Sequence, residues 1–496
     1  MPASHLNQII AALPLRRGAS EPLFRQLYAA IKAAILDGRM SPGMQLPPTR
    51  DFCRLLAVSR QTVLNAYALL TAEGYLDGAV GRGTFVSIDV PMAAPAAEAD
   101  APAPGLLRPL SARGQGVVTA MRQVAYHRGP LRAFRVGMPR IDHFPFDVWN
   151  RLEARRWRRP DHHFGYSDPA GYLPLRELLC VYLKASRGVQ CTPQQIVITS
   201  GSQQALFLLS TILLAPGDPV WMESPGYRGA SGPLRAAGAR VFPVPVDAQG
   251  LDVAYGVAHC PQAKLAYVTP SHQMPLGVSM SLPRRLALLA WAAQHKAWLV
   301  EDDYDSEYRY AGAPLASLQS LDRAGCVVYV GTLSKVLFPG LRLGYMVAPP
   351  ALADALVQAK SVMDRHTAIV PQMALADFIA EGHFGRHIRR TRDSNAERRD
   401  LLVRGIAREL GDLLACGPAD SGLELCAYFR AGHEEETVSR AGLSRGIELR
   451  PLGHYADPAA GSECATPPGL LLGFAAIPPD EMVHGLQELG RILRGR

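Results

Sequence analysis

Long apolar runs are missing from this chain. No stretch reaches the roughly 18 consecutive apolar residues that a bilayer-crossing helix needs. The best candidate, residues 206–214, stops at Ala215-Pro216-Gly217-Asp218. The opening Met-Pro-Ala-Ser-His lacks the basic-then-apolar order of a secretory leader. Cysteine is sparse: Cys53, Cys180, Cys191, Cys260, Cys326, Cys416, Cys426 and Cys464 stand alone, with no CxxC pair and no His at zinc spacing. A chain of 496 residues needs no disulfide framework. No internal repeat is visible. These absences exclude a membrane span, a disulfide scaffold and a zinc module, and they lead to the expectation of a soluble cytoplasmic protein with reduced thiols and no metal.

A strong excess of one charge is also absent. The net charge of +8 suits contact with a polyanion but equally suits a basic solvated surface. Hydrophobic residues make up 48% and charged residues 19%, enough for a sizeable core in two or three domains. Residues 91–109 are Ala/Pro-rich without apolar periodicity and read as a semi-extended linker. They part a head of about 90 residues from a much larger body.

In the head, Pro22 suits the first turn of a helix in which Phe24, Leu27, Tyr28, Ile31 and Ile35 share one face, with Gly38 at its end. A second short helix follows Pro47-Pro48, with Thr49 as a possible cap. Ala57-Val58 is a turn, and Ser59 caps a third helix that ends at Gly74. Residues 75–86 read as a β-hairpin. This is the outline of a winged helix-turn-helix, whose third helix presents Ser59, Arg60, Gln61 and Thr62 at its start. Arg60 and Gln61 suit base edges; Ser59, Thr62 and Arg50 suit phosphates; Arg82 and Thr84 lie on the wing. A helical cap that binds another protein fits the same topology. The first 90 residues carry nine Lys/Arg against six Asp/Glu, so one head alone neutralises few phosphates.

The body alternates short apolar runs (195–199, 219–223, 266–269, 297–301, 327–330) with helical stretches such as 201–214 and 282–294. That rhythm predicts a mostly parallel sheet covered by helices. Lys335 follows the run 327–330, where an amine suits Schiff-base chemistry, and Arg342 offers a fork for a phosphate. Asp302 ends another strand, where a carboxylate suits a pyridinium nitrogen, and Tyr304 points the same way. Ser202 and Gln203 open a helix whose free N–H groups suit a phosphate. Tyr227, after Pro225-Gly226, offers a ring for stacking. Taken singly, each has an ordinary reading: a solvated lysine, an acidic loop, a capped helix, a core tyrosine.

Together they fall into a known pattern. LPPTR (46–50), VSRQTV (58–63), AEGYL (72–76) and GRGTFV (81–86) resemble the GntR-family winged helix over residues 20–87, with Pro48-Thr49 where two serines are usual. From residue 130 to about 480 the motifs SGSQQAL, ESPGY, VTPSHQMPLGVSM, EDDYDSEYRY, GTLSK and EGHFGRHIRR resemble a fold-type I aminotransferase in its MocR/GabR form. The resemblance implies a winged helix-turn-helix over 20–88, a linker over 89–129 and an α/β body over 130–496 with a small C-terminal α+β subdomain. It implies pyridoxal 5′-phosphate (PLP) as Schiff base on Lys335, with Asp302 on the ring nitrogen, Tyr304 on the phenolate oxygen and Tyr227 stacked on the ring. Ser202, Gln203, Ser334 and Arg342 are then the phosphate ligands, and Tyr166 reaches the phosphate of a partner subunit in a head-to-tail homodimer. The implied activity is regulation of transcription on double-stranded promoter DNA, with a small amine, an amino acid or PLP itself as effector.

Three departures bear on this expectation. Met274-Pro275-Leu276-Gly277 stands where aminotransferases commonly place Asn-Pro-Thr-Gly. Leu471 stands where they grip a substrate carboxylate with Arg, so an α-amino acid loses a charge-assisted pair. Glu424 stands where the family often has His. An aminotransferase that also binds DNA, and a DNA-binding protein whose body is only a dimerisation scaffold, are the competing readings. The first departures count against turnover beyond a residual half-reaction.

Overall fold

Pro22 has no N–H to leave unpaired, and helix Leu23–Leu36 starts directly after it in the computed structural model. Residues 3–79, 83–88, 109–120, 129–312, 316–457 and 459–495 are described. The chain divides into two units, Met1–Pro109 and Leu110–Arg496.

In the first unit, helix Leu23–Leu36 packs on helix Arg60–Ala72, and helix Thr49–Leu56 crosses the latter. Thr49 is the first helical residue, with Pro48 in the cap position. Ala57 turns the chain in the left-handed region at φ 51°, and the Ser59 hydroxyl caps the next helix by accepting from Thr62 N at 3.1 Å. β1 (Leu76–Ala79) and β2 (Gly83–Val86) form the antiparallel wing, Leu76 opposite Val86. The sequence reading starts this domain at residue 20; the fold starts it earlier. Helix Ala3–Ala11 packs against Thr49–Leu56, and Ile9, Ile10 and Leu13 join the core of Leu27, Ile31, Ile35, Phe52 and Leu70.

The second unit is built on an eight-stranded sheet. Its strands are β3 (Ile196–Thr199), β4 (Pro219–Ser224), β5 (Arg240–Asp247), β6 (Gly250–Leu251), β7 (Leu265–Val268), β8 (Trp298–Asp303), β9 (Val327–Thr332) and β10 (Gly344–Val347). The order is β3-β10-β9-β8-β7-β4-β5-β6. β9, β8, β7, β4 and β5 are parallel neighbours; β10 and β6 run against theirs. Both faces are covered, as near-continuous apolar strands require. Ile196 and Ile198 join the core under helices Leu173–Arg187 and Ile369–Ala380, while Val197 points to the core under Ser202–Leu213 and Pro350–Asp364.

A four-stranded antiparallel sheet follows: β11 (Leu414–Cys416), β12 (Glu424–Phe429), β13 (Arg450–Pro451) and β14 (Gly469–Gly473), in the order β11-β12-β14-β13. It packs with the long helix His383–Glu409 and with Pro479–Leu493 around Leu402, Leu425, Leu472 and Leu486. Part of the expected linker is ordered on the body. Helix Ala112–Ala120, opened by Ser111 Oγ accepting from Gly114 N at 3.0 Å, packs on helix Arg228–Ala236. Residues 89–108 and 121–128 lie outside the described residues. Among those described, no helix is long and apolar enough to cross a membrane.

Candidate functional site

The parallel strands deliver their carboxyl ends to one edge of the large sheet, where open α/β sheets bind ligands. β8 ends at Asp302-Asp303, and β9 runs into Leu333-Ser334-Lys335. β3 turns through Gly201 into helix Ser202–Leu213, and β4 leads through Pro225-Gly226 to Tyr227. Tyr267, from the middle of β7, reaches the same edge.

Asp302 is buried. Its Oδ2 accepts from the Tyr267 hydroxyl at 2.7 Å, while Oδ1 is enclosed without a partner among the described residues. Burial pushes this carboxyl up to about 7; the Tyr267 hydrogen bond and the Lys335 charge work the other way, and Asp303 and Asp305 add to the rise. Lys335 Nζ donates to the Gly137 carbonyl at 2.6 Å, and Gly137 N donates in turn to Glu424 Oε2 at 3.1 Å. Gly137 has φ +72°, and a Cβ there would stand 2.8 Å from Lys335 Nζ.

The Tyr304 hydroxyl meets His272 Nδ1 at 3.0 Å, and the same nitrogen lies 3.0 Å from Asp305 Oδ2. Burial opposes the charged form of His272, yet the Asp305 carboxylate holds its pKa above the ordinary value. Glu223, fully buried beside this group, accepts from the Thr269 hydroxyl at 2.7 Å and from Gln273 at 3.2 Å. Behind them Glu301 accepts from Leu318 N at 2.7 Å and Gln319 N at 2.8 Å, which ties β8 to the start of helix Leu318–Leu321.

At the third corner the Arg342 guanidinium lies against Gly201. A Cβ on Gly201 would stand 3.4–3.6 Å from its atoms, at φ +117°. Gln203 donates to Gly229 O at 2.8 Å and stands 3.4 Å from the Tyr227 hydroxyl, whose ring covers Gly229 so closely that no Cβ fits there. Ser334 N donates to Thr332 Oγ1 at 3.3 Å, which bends the chain into Lys335.

Lys335, Asp302, Tyr304, Tyr227, Ser202, Gln203, Ser334 and Arg342 therefore stand on the strand ends and turns of one sheet edge. Tyr166 stands apart: it is 94% exposed, and the aromatic ring near it is His366, 6.4 Å between centroids. The sequence reading missed Tyr267, His272, Asp305, Glu223 and Gly137. His272 lay in plain view inside VTPSHQMPLGVSM; Tyr267 was hidden as one more apolar strand residue.

The residues fit a phosphorylated pyridine aldehyde. A buried acid with one unused oxygen is completed by a protonated ring nitrogen. A helix start with a glycine turn and an arginine beside it is completed by a phosphate. Lys335 supplies the amine, held by a carbonyl from a distant part of the chain.

In the head, Arg50, Ser59, Arg60 and Gln61 are exposed and Thr62 and Thr84 half-buried. The Ser59 and Thr62 hydroxyls lie 2.9 Å apart, and Gln61 donates to Asn65 at 2.7 Å. Arg17, unforeseen in the sequence reading, donates to the Ala57 carbonyl of the turn at 2.7 Å. Arg82 lies outside the described residues.

Two family patterns match the chain: "Bacterial regulatory proteins, gntR family" over residues 23–86, and "Aminotransferase class I and II" over 136–447. The chain is 41% identical to the probable rhizopine catabolism regulatory protein MocR of Rhizobium meliloti, over 96% of this chain and 95% of the relative. It is 31% identical to the pyridoxine biosynthesis transcriptional regulator PdxR of Corynebacterium glutamicum, over 97% and 98%. Among solved structures it is similar to LysN, the alpha-aminoadipate aminotransferase of Thermus thermophilus, complexed with N-(5'-phosphopyridoxyl)-L-leucine. That match has 30% identity and a TM-score of 0.66, and covers 77% of this chain and 94% of that one.

Proposed function

The chain belongs to the MocR-type transcription regulators, which join a gntR-type DNA-binding head to a PLP-binding, aminotransferase-like body, and on that premise we propose that its body senses a small amine, an amino acid or PLP itself. The observation that carries this is the nearness of Lys335 to Asp302: an amine held by the Gly137 carbonyl, its charge felt by a buried acid whose Oδ1 has no partner among the described residues.

In this reading Lys335 would hold PLP through its amine, Asp302 would keep the ring nitrogen protonated, and Tyr304 would donate to the phenolate oxygen. Tyr227 stacks on the ring. Arg342, Ser202, Gln203 and Ser334 take the phosphate. When bound, the cofactor supplies an electrophilic carbon that exchanges between Lys335 and an incoming primary amine. The Gly137 carbonyl is the acceptor that holds Lys335 Nζ whenever that amine is free. His272, fixed by Asp305, orients the Tyr304 hydroxyl.

On DNA, Arg60 and Gln61 read base edges, while Arg50, Ser59, Thr62, Arg82 and Thr84 position the head on the backbone. The small charge excess of one head calls for two heads on one operator, which a head-to-tail homodimer with Tyr166 at the partner's site supplies. A change from mostly one state to mostly the other requires about 10⁴-fold differential effector binding.

A second reading, a working aminotransferase that also binds DNA, is favoured by the likeness to LysN. Against it, Leu471 is fully buried among apolar side chains. Reconstitution with PLP followed by titration with amines, read by the cofactor's absorbance and by affinity for a duplex selected from a random library, tests the sensing proposal. Coupled changes in both support it. Stoichiometric conversion to pyridoxamine phosphate with turnover across amino donors supports the second reading. DNA binding indifferent to PLP and to every amine leaves the body a scaffold and overturns the first.

A further inference from the structure

Glu424 stands beside the amine that would hold the cofactor. It opens β12 and is 3% exposed. Its Oε2 takes the Gly137 N–H, while the carbonyl of the same residue takes Lys335 Nζ. A single glycine thus spaces a buried carboxylate from the lysine amine. Glu424 Oε1 takes no hydrogen bond from any described residue, and it is not among the fully enclosed orphan atoms. His272, also near Glu424, is already engaged by Asp305 and Tyr304.

The sheet face around Glu424 is apolar. Register places Cys426 opposite Leu471 and Leu471 opposite Arg450, a row across three strands. Glu424, two residues before Cys426, lies on the same face. Leu471 is fully buried with Leu276, Cys426 and Leu452, and Val136, Met274 and Tyr455 pack against them. A ligand carboxylate drawn in next to Lys335 would confront the Glu424 charge across this apolar patch, and the cation of the row, Arg450, stands at its far end, one strand beyond Leu471. The cations near Glu424 are Lys335 and His272, the first engaged by the Gly137 carbonyl and the second by Asp305 and Tyr304, so a second carboxylate has no cation of its own here and is costly to bury. A hydroxyl or a second ammonium in the same place donates to Oε1 instead.

We propose that Glu424 selects the chemical class of the effector: a primary amine with a hydroxyl or second amino group on the adjacent carbon and no carboxylate on the amine-bearing carbon. Amino alcohols and vicinal diamines have this form. The inference rests on the sensing proposal above and specifies its ligand.

Ethanolamine and L-serine differ only by the carboxylate, so they form the deciding pair. Both are titrated into PLP-loaded protein, followed by cofactor absorbance and by calorimetry, with ethylenediamine and L-alanine as further probes. Ethanolamine is expected to bind at least about tenfold more tightly than L-serine. Glu424→Gln is expected to shrink that preference severalfold while keeping the cofactor's own absorbance. L-serine binding as well as or better than ethanolamine in the native protein overturns the proposal without any variant. So does a preference unchanged in Glu424→Gln. If Arg450→Ala removes L-serine binding that the native protein prefers, the row reads from its other end and the proposal falls. Ligand binding that follows the predicted ranking but leaves operator affinity unaltered overturns sensing and leaves the ligand class standing. No response to any amine overturns both.

Discussion

Lys335 Nζ donates to the carbonyl of Gly137 at 2.6 Å, so the amine at the end of β9 is oriented by a residue 198 positions earlier in the chain. The segment around Gly137 is held in turn: Phe134 bridges to Gly473 of β14, and Gly137 N reaches Glu424 of β12. The small sheet, the N-terminal segment of the body and the lysine loop therefore meet at one peptide unit.

Gly137→Ala tests that meeting point without touching the lysine. The added methyl stands 2.8 Å from Nζ, and φ +72° is strained for alanine. PLP affinity is expected to fall by about tenfold or more while the far-ultraviolet dichroism stays native. Unchanged affinity, read by absorbance titration, removes Gly137 from the account. Lys335→Ala is the companion: it is expected to lose the imine absorbance and keep the fold.

The Asp302 carboxyl, pushed up to about 7, gives a pH signature. An unfolded chain releases this proton near pH 4; the folded chain keeps it to about 7. The unfolded state binds fewer protons in that window, so stability falls as pH rises from about 4 to 7. In cofactor-free protein, Asp302→Asn is expected to flatten this slope. Glu223 and Glu301, also raised to about 7 by burial, remain in both proteins, and the lost Asp302 charge eases the rise of Glu223 as well, so both effects flatten the slope in the same direction. Parallel urea-denaturation curves at pH 5 and pH 7 for the two proteins would count against the assignment.

Arg60 is exposed at the first turn of its helix and is engaged in no ion pair among the described residues. Arg60→Ala is expected to weaken binding to a selected duplex by about 1–3 kcal/mol with the PLP spectrum unaltered. Ser59→Ala acts differently, because it removes the cap on Thr62 N: a loss of about 1 kcal/mol in the stability of the head accompanies any loss of DNA affinity. Fluorescence anisotropy beside thermal melting separates the two.

Ile10 is fully buried in the head core, although it lies ten residues before the position where the sequence reading starts the domain. Ile10→Ala is expected to cost about 2–5 kcal/mol in the head's unfolding transition, without moving that of the body. A silent substitution would make helix Ala3–Ala11 an appendage.

Most strands of the large sheet were legible because they are short, apolar and buried on both faces. β5 escaped notice because Pro243 and Pro245 break its pattern near the sheet margin, where prolines are tolerated. Helix Ala112–Ala120 hid behind Gly114 and Gly116, which weaken helix propensity; Ser111 and the packing on Arg228–Ala236 compensate. At the site, Lys335, Asp302 and Arg342 announced themselves by motif. Glu424 stood out only as a departure of unassigned meaning and Gly137 not at all, since only tertiary structure brings residues 137, 335 and 424 together. Tyr166, 94% exposed, stands apart from the others on its own chain.

Glu301 never faces the ligand, yet its two hydrogen bonds to Leu318 and Gln319 moor the strand that carries Asp302. Transplanting this pocket into another scaffold by copying only its lining would leave that strand adrift. The graft would have to bring Glu301 and the 318–319 turn along, because a site must be held to within about 0.5 Å by the bonds behind it.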